Sequence, residues 1–193
     1  MLLHLHELAI PVLWSDHFAR SAPLEIEIGV GKGRFLKERA QAYPDHNFLG
    51  IEKSKKWLLR AKERLEKANV KNVHLLQCYA EGFLEQFVAD HAVNVYHILF
   101  PDPWPKRRHE KRRLFTKTFI DQIIRTLAPG GELHIATDHK EYFRMITDAF
   151  IPFYRNNFKL EMAQPGPFCS NFQVKYSQEG RPLYFAVARQ SVH

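Results

Sequence analysis

The sequence predicts an α/β fold: a mainly parallel sheet with helices on both faces. Three observations carry this. Strand-like and helix-like segments alternate along the chain, residues 93–100 form a nearly continuous apolar run, and a glycine-rich turn follows the first strand. Residues 24–28 (LEIEI) alternate apolar and acidic side chains and end at that turn. Residues 35–42 then read as helix and 47–52 (NFLGIE) as the second strand. The spacing of Trp57, Leu58, Ala61, Leu65 and Ala68 predicts a long helix over 53–68. Residues 72–77 are the third strand and 81–88 a short helix. The run VNVYHILF (93–100) has no polar face, as expected of a central strand covered on both sides. An amphipathic helix over 114–127 is closed by Pro129-Gly130-Gly131, and 132–137 is the fifth strand. A helix over 138–150 follows, and 158–162 with 183–188 form a terminal antiparallel pair separated by a loop over 164–178. This gives seven strands in a single domain over 1–193. Residues 1–23 read as an N-terminal extension and 163–193 as a substrate-side segment.

With 193 residues the chain can bury one full core. The pI near 9.4 and net charge of +7 favour an acidic partner. Cys78 and Cys169 lie far apart and match no metal or redox spacing, so both are expected as reduced thiols in a cytoplasmic protein. No third His or Cys completes a site with His4, His6 and Glu7, and no metal site is expected. No apolar run approaches the length of a membrane span. A monomer or homodimer is expected.

Residues 100–113, FPDPWPKRRHEKRR, say most about function. Pro101, Pro103 and Pro105 cannot continue a central strand, so Asp102 and Trp104 sit in a stiff loop. Lys106, Arg107, Arg108, Lys111, Arg112 and Arg113 follow against a single Glu110, a charge density suited to a polyphosphate. Trp104 could stack on a base or pack beneath the loop. At the other end of the fold, Glu27 precedes a turn containing Gly29, Gly31 and Gly33. The spacing is G-x-G-x-G rather than the dinucleotide G-x-G-x-x-G, and an acid at position 27 would repel a pyrophosphate. It could instead pair with the ammonium of S-adenosylmethionine, which carries no phosphate. Glu52 ends the second strand, where a carboxylate can accept from two ribose hydroxyls, a position that alone would fit NAD equally. Tyr79 and Ala80 follow the third strand, where an adenine would lie; Tyr79 could pack on the base or equally be an ordinary core-edge aromatic.

Together, EIGVGKG (27–33), IE (51–52), FPDPWPKRRHEKRR (100–113) and ATDHKEYFRM (136–145) closely resemble the tRNA (guanine-N7)-methyltransferase family. The resemblance implies a Rossmann-like class I methyltransferase fold with a terminal antiparallel strand. It also implies S-adenosylmethionine as donor and N7 of the variable-loop guanine, position 46 of tRNA, as acceptor. Carried over by position, Glu27, Gly29, Gly31, Gly33, Glu52, Tyr79 and Ala80 are cofactor-binding, and Asp102 is the active-site acid, suited either to accept from the N1–H and N2–H2 edge of guanine or to offset the positive charge developing on the purine. Lys106, Asp138 and Ser177 are substrate contacts, and Arg107, Arg108, Lys111, Arg112 and Arg113 an RNA-binding strip. Two positions depart from the family. Tyr79 stands where an acid is usual, and the family's Thr-x-x-Glu pattern is matched to Val174-Lys175-Tyr176-Ser177. Methylation of an exocyclic amine, a non-catalytic RNA-binding protein and a nicotinamide-dependent oxidoreductase are the alternatives. The glycine spacing and Glu27 disfavour the last, and Glu27, Asp102 and Glu52 disfavour the second.

Overall fold

The computed structural model describes residues 1–150 and 158–190. Its strands are β1 (Leu2–Leu3), β2 (Leu24–Ile28), β3 (Asn47–Ile51), β4 (Val73–Leu76), β5 (Val93–Leu99), β6 (Leu127–Thr137), β7 (Phe158–Met162) and β8 (Tyr184–Gln190). Its helices are α1 (Trp14–Phe18), α2 (Arg34–Ala42), α3 (Lys55–Lys67), α4 (Ala80–Phe87), α5 (Lys117–Thr126), α6 (Lys140–Phe150) and α7 (Asn171–Gln178). They form one sheet in the order β1-β4-β3-β2-β5-β6-β8-β7. All seven expected strands are present. Only β8 runs against its neighbours, pairing antiparallel with both β6 and β7.

Three expectations need correction. Part of the N-terminal extension is built into the sheet as an eighth strand: Leu2 and Leu3 pair with Leu75 and Leu76, and the Leu75 N–H donates to the Met1 carbonyl at 2.6 Å. The pairing covers an edge of β4 that would otherwise present bare backbone groups. Second, the tail is not a loop throughout. The Ser170 hydroxyl accepts from the Gln173 N–H at 3.0 Å and caps α7. Third, α5 ends at Thr126, and the Pro129-Gly130-Gly131 segment lies inside β6. The β5–β6 register shifts between Val93 and Val95. A side chain at Gly131 would meet the Ala128 carbonyl at 2.8 Å, so this irregular pairing needs glycine.

Two apolar layers flank the sheet. Val30, Leu36, Ala40, Phe48, Leu58, Ala61, Leu65, Val73 and Leu75 fill the side under α2 and α3. The opposite side joins Ile26, Tyr96, Ile98 and Ile135 to α4, α5 and α6 through Phe83, Phe119, Ile123 and Ile146.

Acidic positions alternate with apolar ones along β2, yet every residue of this strand is buried. Glu25 is held there by a built polar cluster. Arg39 donates two hydrogen bonds to its carboxylate, at 2.8 and 3.1 Å, while His46 and His97 each lie 2.7 Å from it. Burial alone would raise the Glu25 pKa, but the bonds from His97 and Arg39 hold it at about 2. Burial keeps His97 neutral, with its pKa lowered to about 4 against the pull of Glu25. A depressed carboxyl adds stability above its ordinary value of 4.5, and that contribution is lost as pH falls towards 2. Arg39→Met leaves a buried carboxylate short of its charge partner and is expected to destabilise the fold by about 3 kcal/mol. Urea denaturation at neutral pH checks this.

Candidate active site

The C-terminal ends of β2, β3, β4, β5 and β6 lie along one rim, where open α/β sheets place their ligands. The β2–α2 turn is drawn onto that rim. The Gly29 and Val30 amides donate to the Ile51 carbonyl at 2.8 and 3.2 Å. Gly33 has φ 68°, and a side chain there would sit 2.9 Å from the Ala61 side chain, so glycine alone lets α2 and α3 approach. Glu52, just past β3, accepts from the Gly31 amide at 3.0 Å through Oε2 and from the Ser54 amide at 2.9 Å through Oε1. Each oxygen keeps a second lone pair.

Glu27 is different. Its side chain is 2% exposed, and Oε2 has no hydrogen-bond partner. Burial and then the nearby Glu52 charge push its pKa well above the usual 4.5, with the Leu36 amide offsetting only part. A fully desolvated acid with an unmet oxygen, beside a turn of positive-φ glycines, is a receptor for a cationic group. The residues present therefore fit the ammonium and ribose of S-adenosylmethionine. Tyr79 precedes α4 and is 74% exposed, the most open large apolar side chain among the described residues, while Ala80 is buried at the first helical position. Beside it the half-buried Cys78 thiol is pushed up to about 12 by burial, which disfavours the reactive thiolate.

At the end of β5 the chain enters the proline loop with Phe100 and Trp104 both in the left-handed region, at φ 56° and 42°. The Phe100 N–H still bonds the Ala136 carbonyl at 2.7 Å, tying the loop to β6. Asp102 is exposed and has Lys53 at 3.7 Å. Trp104 packs within the loop, edge-on to His109 and under the Arg112 guanidinium at 5.0 Å. Arg113 is turned inward, donating to the Pro103 and Trp104 carbonyls at 2.9 and 3.3 Å. It stands apart from Lys106, Arg108, Lys111 and Arg112, which are exposed. The side chain of Arg107 lies outside the described residues.

Asp138 follows β6. Helix capping does not use it: the Tyr142 N–H donates to His139 Nδ1 at 3.2 Å instead. Its Oδ2 receives Arg181 at 2.9 Å. The Tyr176 ring meets Phe100 at 5.6 Å and lies under the Arg181 guanidinium at 4.3 Å. Burial first, then Asp138 and more weakly Asp102, raise the Tyr176 pKa, so this phenol feels both acids. Ser177 is exposed at the far end of α7. Ser170 and Gln173 are buried, and they reproduce the hydroxyl-x-x-Glu/Gln spacing better than residues 174–177 do. The sequence reading missed Gln173, Tyr176 and Arg181. The Ser-x-x-Gln capping pattern was the available signal for the first.

Comparison with known proteins fits this geometry. A family described as "Putative methyltransferase" matches residues 21–186. A tRNA (guanine-N(7)-)-methyltransferase of Geobacillus kaustophilus is 36% identical over 176 residues, covering 89% of this chain and 81% of that protein. One from Thermotoga maritima is 32% identical over 187 residues, covering 93% of this chain; the chain spans 58% of that longer protein. Among solved structures, precorrin-6y C5,15-methyltransferase from Geobacter metallireducens superposes with a TM-score of 0.63 at 16% identity, covering 88% of this chain and 81% of that one. That likeness speaks for the fold alone. Family match, sequence identity and the cation-receptive turn agree: the chain belongs to the tRNA (guanine-N(7)-)-methyltransferase family and uses S-adenosylmethionine.

Proposed function

We propose that this enzyme methylates N7 of the variable-loop guanine, position 46, of tRNA in the cytoplasm. The observation that carries the reading is convergence. The unmet acid Glu27, the loop acid Asp102 and the partly buried Asp138 all stand at strand ends on one rim. Bound there, S-adenosylmethionine supplies a sulfonium methyl: the N7 lone pair forms the C–N bond, the C–S pair returns to sulfur, and the positive charge passes to the purine. Guanine N7 carries no proton, so the chain needs no general base. Its work is alignment and charge compensation.

Glu27 takes the amino group of the donor, Glu52 uses its free lone pairs on ribose hydroxyls, and the Tyr79–Ala80 step lies against adenine, with Tyr79 as the packing surface. Gly29, Gly31 and Gly33 keep side chains out of the way. Asp138 accepts from the N1–H and N2–H2 edge of guanine, with Gln173 and Tyr176 as neighbours in place of Ser177. Asp102 stands where purine charge develops. Lys106, Arg108, Lys111 and Arg112 hold phosphates, giving affinity without sequence information, while Arg113 keeps the loop in shape. Nucleoside mass spectrometry of unmodified tRNA incubated with enzyme and donor tests the whole reading: 7-methylguanosine is expected, and methyl on an exocyclic amine, or none, overturns it. Arg108→Ala with Arg112→Ala is expected to weaken tRNA binding and flatten the log–log salt slope by about 2, roughly one unit per lost phosphate contact. Filter binding across a salt series checks that slope.

A further inference from the structure

Asp138, assigned above to the guanine edge, is already engaged. Arg181 lies between α7 and β8, right after Gly180, and its Nη1 sits 2.9 Å from Asp138 Oδ2. Its Nε is 2.7 Å from Glu179 Oε2. The guanidinium lies over Tyr176, and Tyr176 packs edge-on against Phe100, the residue that leads into the Asp102 loop. Asp138 is the more buried partner of the pair, and Arg181 the more exposed.

The chemistry of the two candidate partners is nearly the same. A guanidinium presents coplanar N–H donors on an N–C–N unit. Guanine presents N1–H and N2–H2 from the same kind of unit, in one plane. The carboxylate that would read guanine is thus held by a side chain that imitates it. After methyl transfer the base is a cation, so its attraction to Asp138 exceeds that of the guanine which entered. A site lacking a competitor would hold its product harder than its substrate.

Resting on the reading of Asp138 as a guanine contact, we propose that Arg181 is an exchange residue, which yields Asp138 to the incoming guanine and reclaims it to displace the methylated base. Glu179 provides its second station. At 2.7 Å it keeps the guanidinium paired while Asp138 is occupied by the base, so the exchange leaves no charge alone. The proposal makes Arg181 a positioning residue for turnover, acting through Asp138 rather than on the reacting atoms.

The test uses the full chain, unmodified tRNA and labelled donor, and compares Arg181→Ala with the unaltered protein. The variant is expected to transfer a burst of one methyl per enzyme, followed by a steady rate roughly tenfold lower. Inhibition by the nucleoside 7-methylguanosine, which has no phosphate for basic residues to attract, is expected to tighten by a similar factor. Millimolar methylguanidine should restore part of the steady rate by competing for Asp138 in place of the missing side chain. A variant with no burst, or one whose first turnover slows in step with its steady rate, overturns the exchange. Asp138→Asn separates the two levels: an unaltered first turnover in that variant removes Asp138 from guanine recognition. If the first turnover slows there but Arg181→Ala shows no burst, the guanine reading survives and only the exchange falls.

Discussion

Glu27→Gln will make the cofactor-free protein more stable while stripping it of cofactor affinity. The unmodified side chain is 2% exposed with one oxygen unpartnered, and burial and Glu52 both raise its pKa well above 4.5. The direction of the pH dependence follows from proton counts. Between pH 4.5 and the raised folded value, the folded state keeps a proton that the unfolded chain has lost. Stability contributed by Glu27 is therefore present below about pH 4.5 and lost as pH climbs through that window. At neutral pH a glutamine, which cannot ionise, removes this penalty. A gain of about 1–2 kcal/mol is expected, on the scale of a buried unsatisfied polar group, and thermal melts of the cofactor-free form will show it as a rise of roughly 2–6 °C. S-adenosylhomocysteine carries the same ammonium as the donor, and its binding should weaken by roughly 10- to 100-fold when the charge-assisted bond is gone. Calorimetric titration should also find the affinity of the unaltered protein rising with pH, with proton release on binding. The glutamine variant should lose that release. A variant that melts lower, or binds as before, removes Glu27 from the ammonium site.

Asp102→Ala is expected to lower kcat by roughly 10²–10³, the range seen when one preorganised electrostatic contact to a developing charge is deleted, with S-adenosylhomocysteine affinity kept. Asp102 is an exposed carboxylate whose nearest cation, Lys53, is 3.7 Å away and itself exposed, so the apo pairing is too weak to compete with substrate. A proline on each side and left-handed residues at 100 and 104 fix the loop before substrate arrives, so little ordering is left for the encounter. Asp102→Asn then divides the two roles. Its amide oxygen still accepts a hydrogen bond but has no charge. If Asp102 offsets the purine charge, as proposed, asparagine behaves like alanine; an asparagine variant that keeps much of the rate instead gives Asp102 the base edge assigned above to Asp138. Rapid-quench measurement of the first turnover, under donor saturation, is the appropriate readout.

The strand–helix alternation located seven strands because each is a run of at least four residues with its own apolar signature. The two residues of β1 carry no such signature, and only the open edge of β4 gives them a partner. The glycine turn and the acid before it were legible because backbone conformation and charge are local properties. Other features depend on meetings across the chain. The alternation in β2 looks half-solvated until Arg39, His46 and His97 are seen around Glu25. Composition made 164–178 look like a loop, although Ser170 and Gln173 hold a capping pattern within it. Arg181 meets Asp138 across 43 positions, and no periodicity of either segment foretells that pairing. Arg113 reads as one more charge in a basic run, and only the carbonyls of Pro103 and Trp104 give it a structural task.

The reversal of β8 has an evolutionary corollary. A strand laid the other way would deliver the polypeptide preceding it to the distant end of the sheet. Because Tyr184 aligns with Thr137, the approach to β8 arrives beside the exits of β5 and β6. Under the proposed function, the last quarter of the chain thereby furnishes the acceptor wall, while the first half builds the donor pocket. Drift in the tail can retune which nucleobase is welcomed, and how quickly it leaves, without touching the machinery that grips the methyl source.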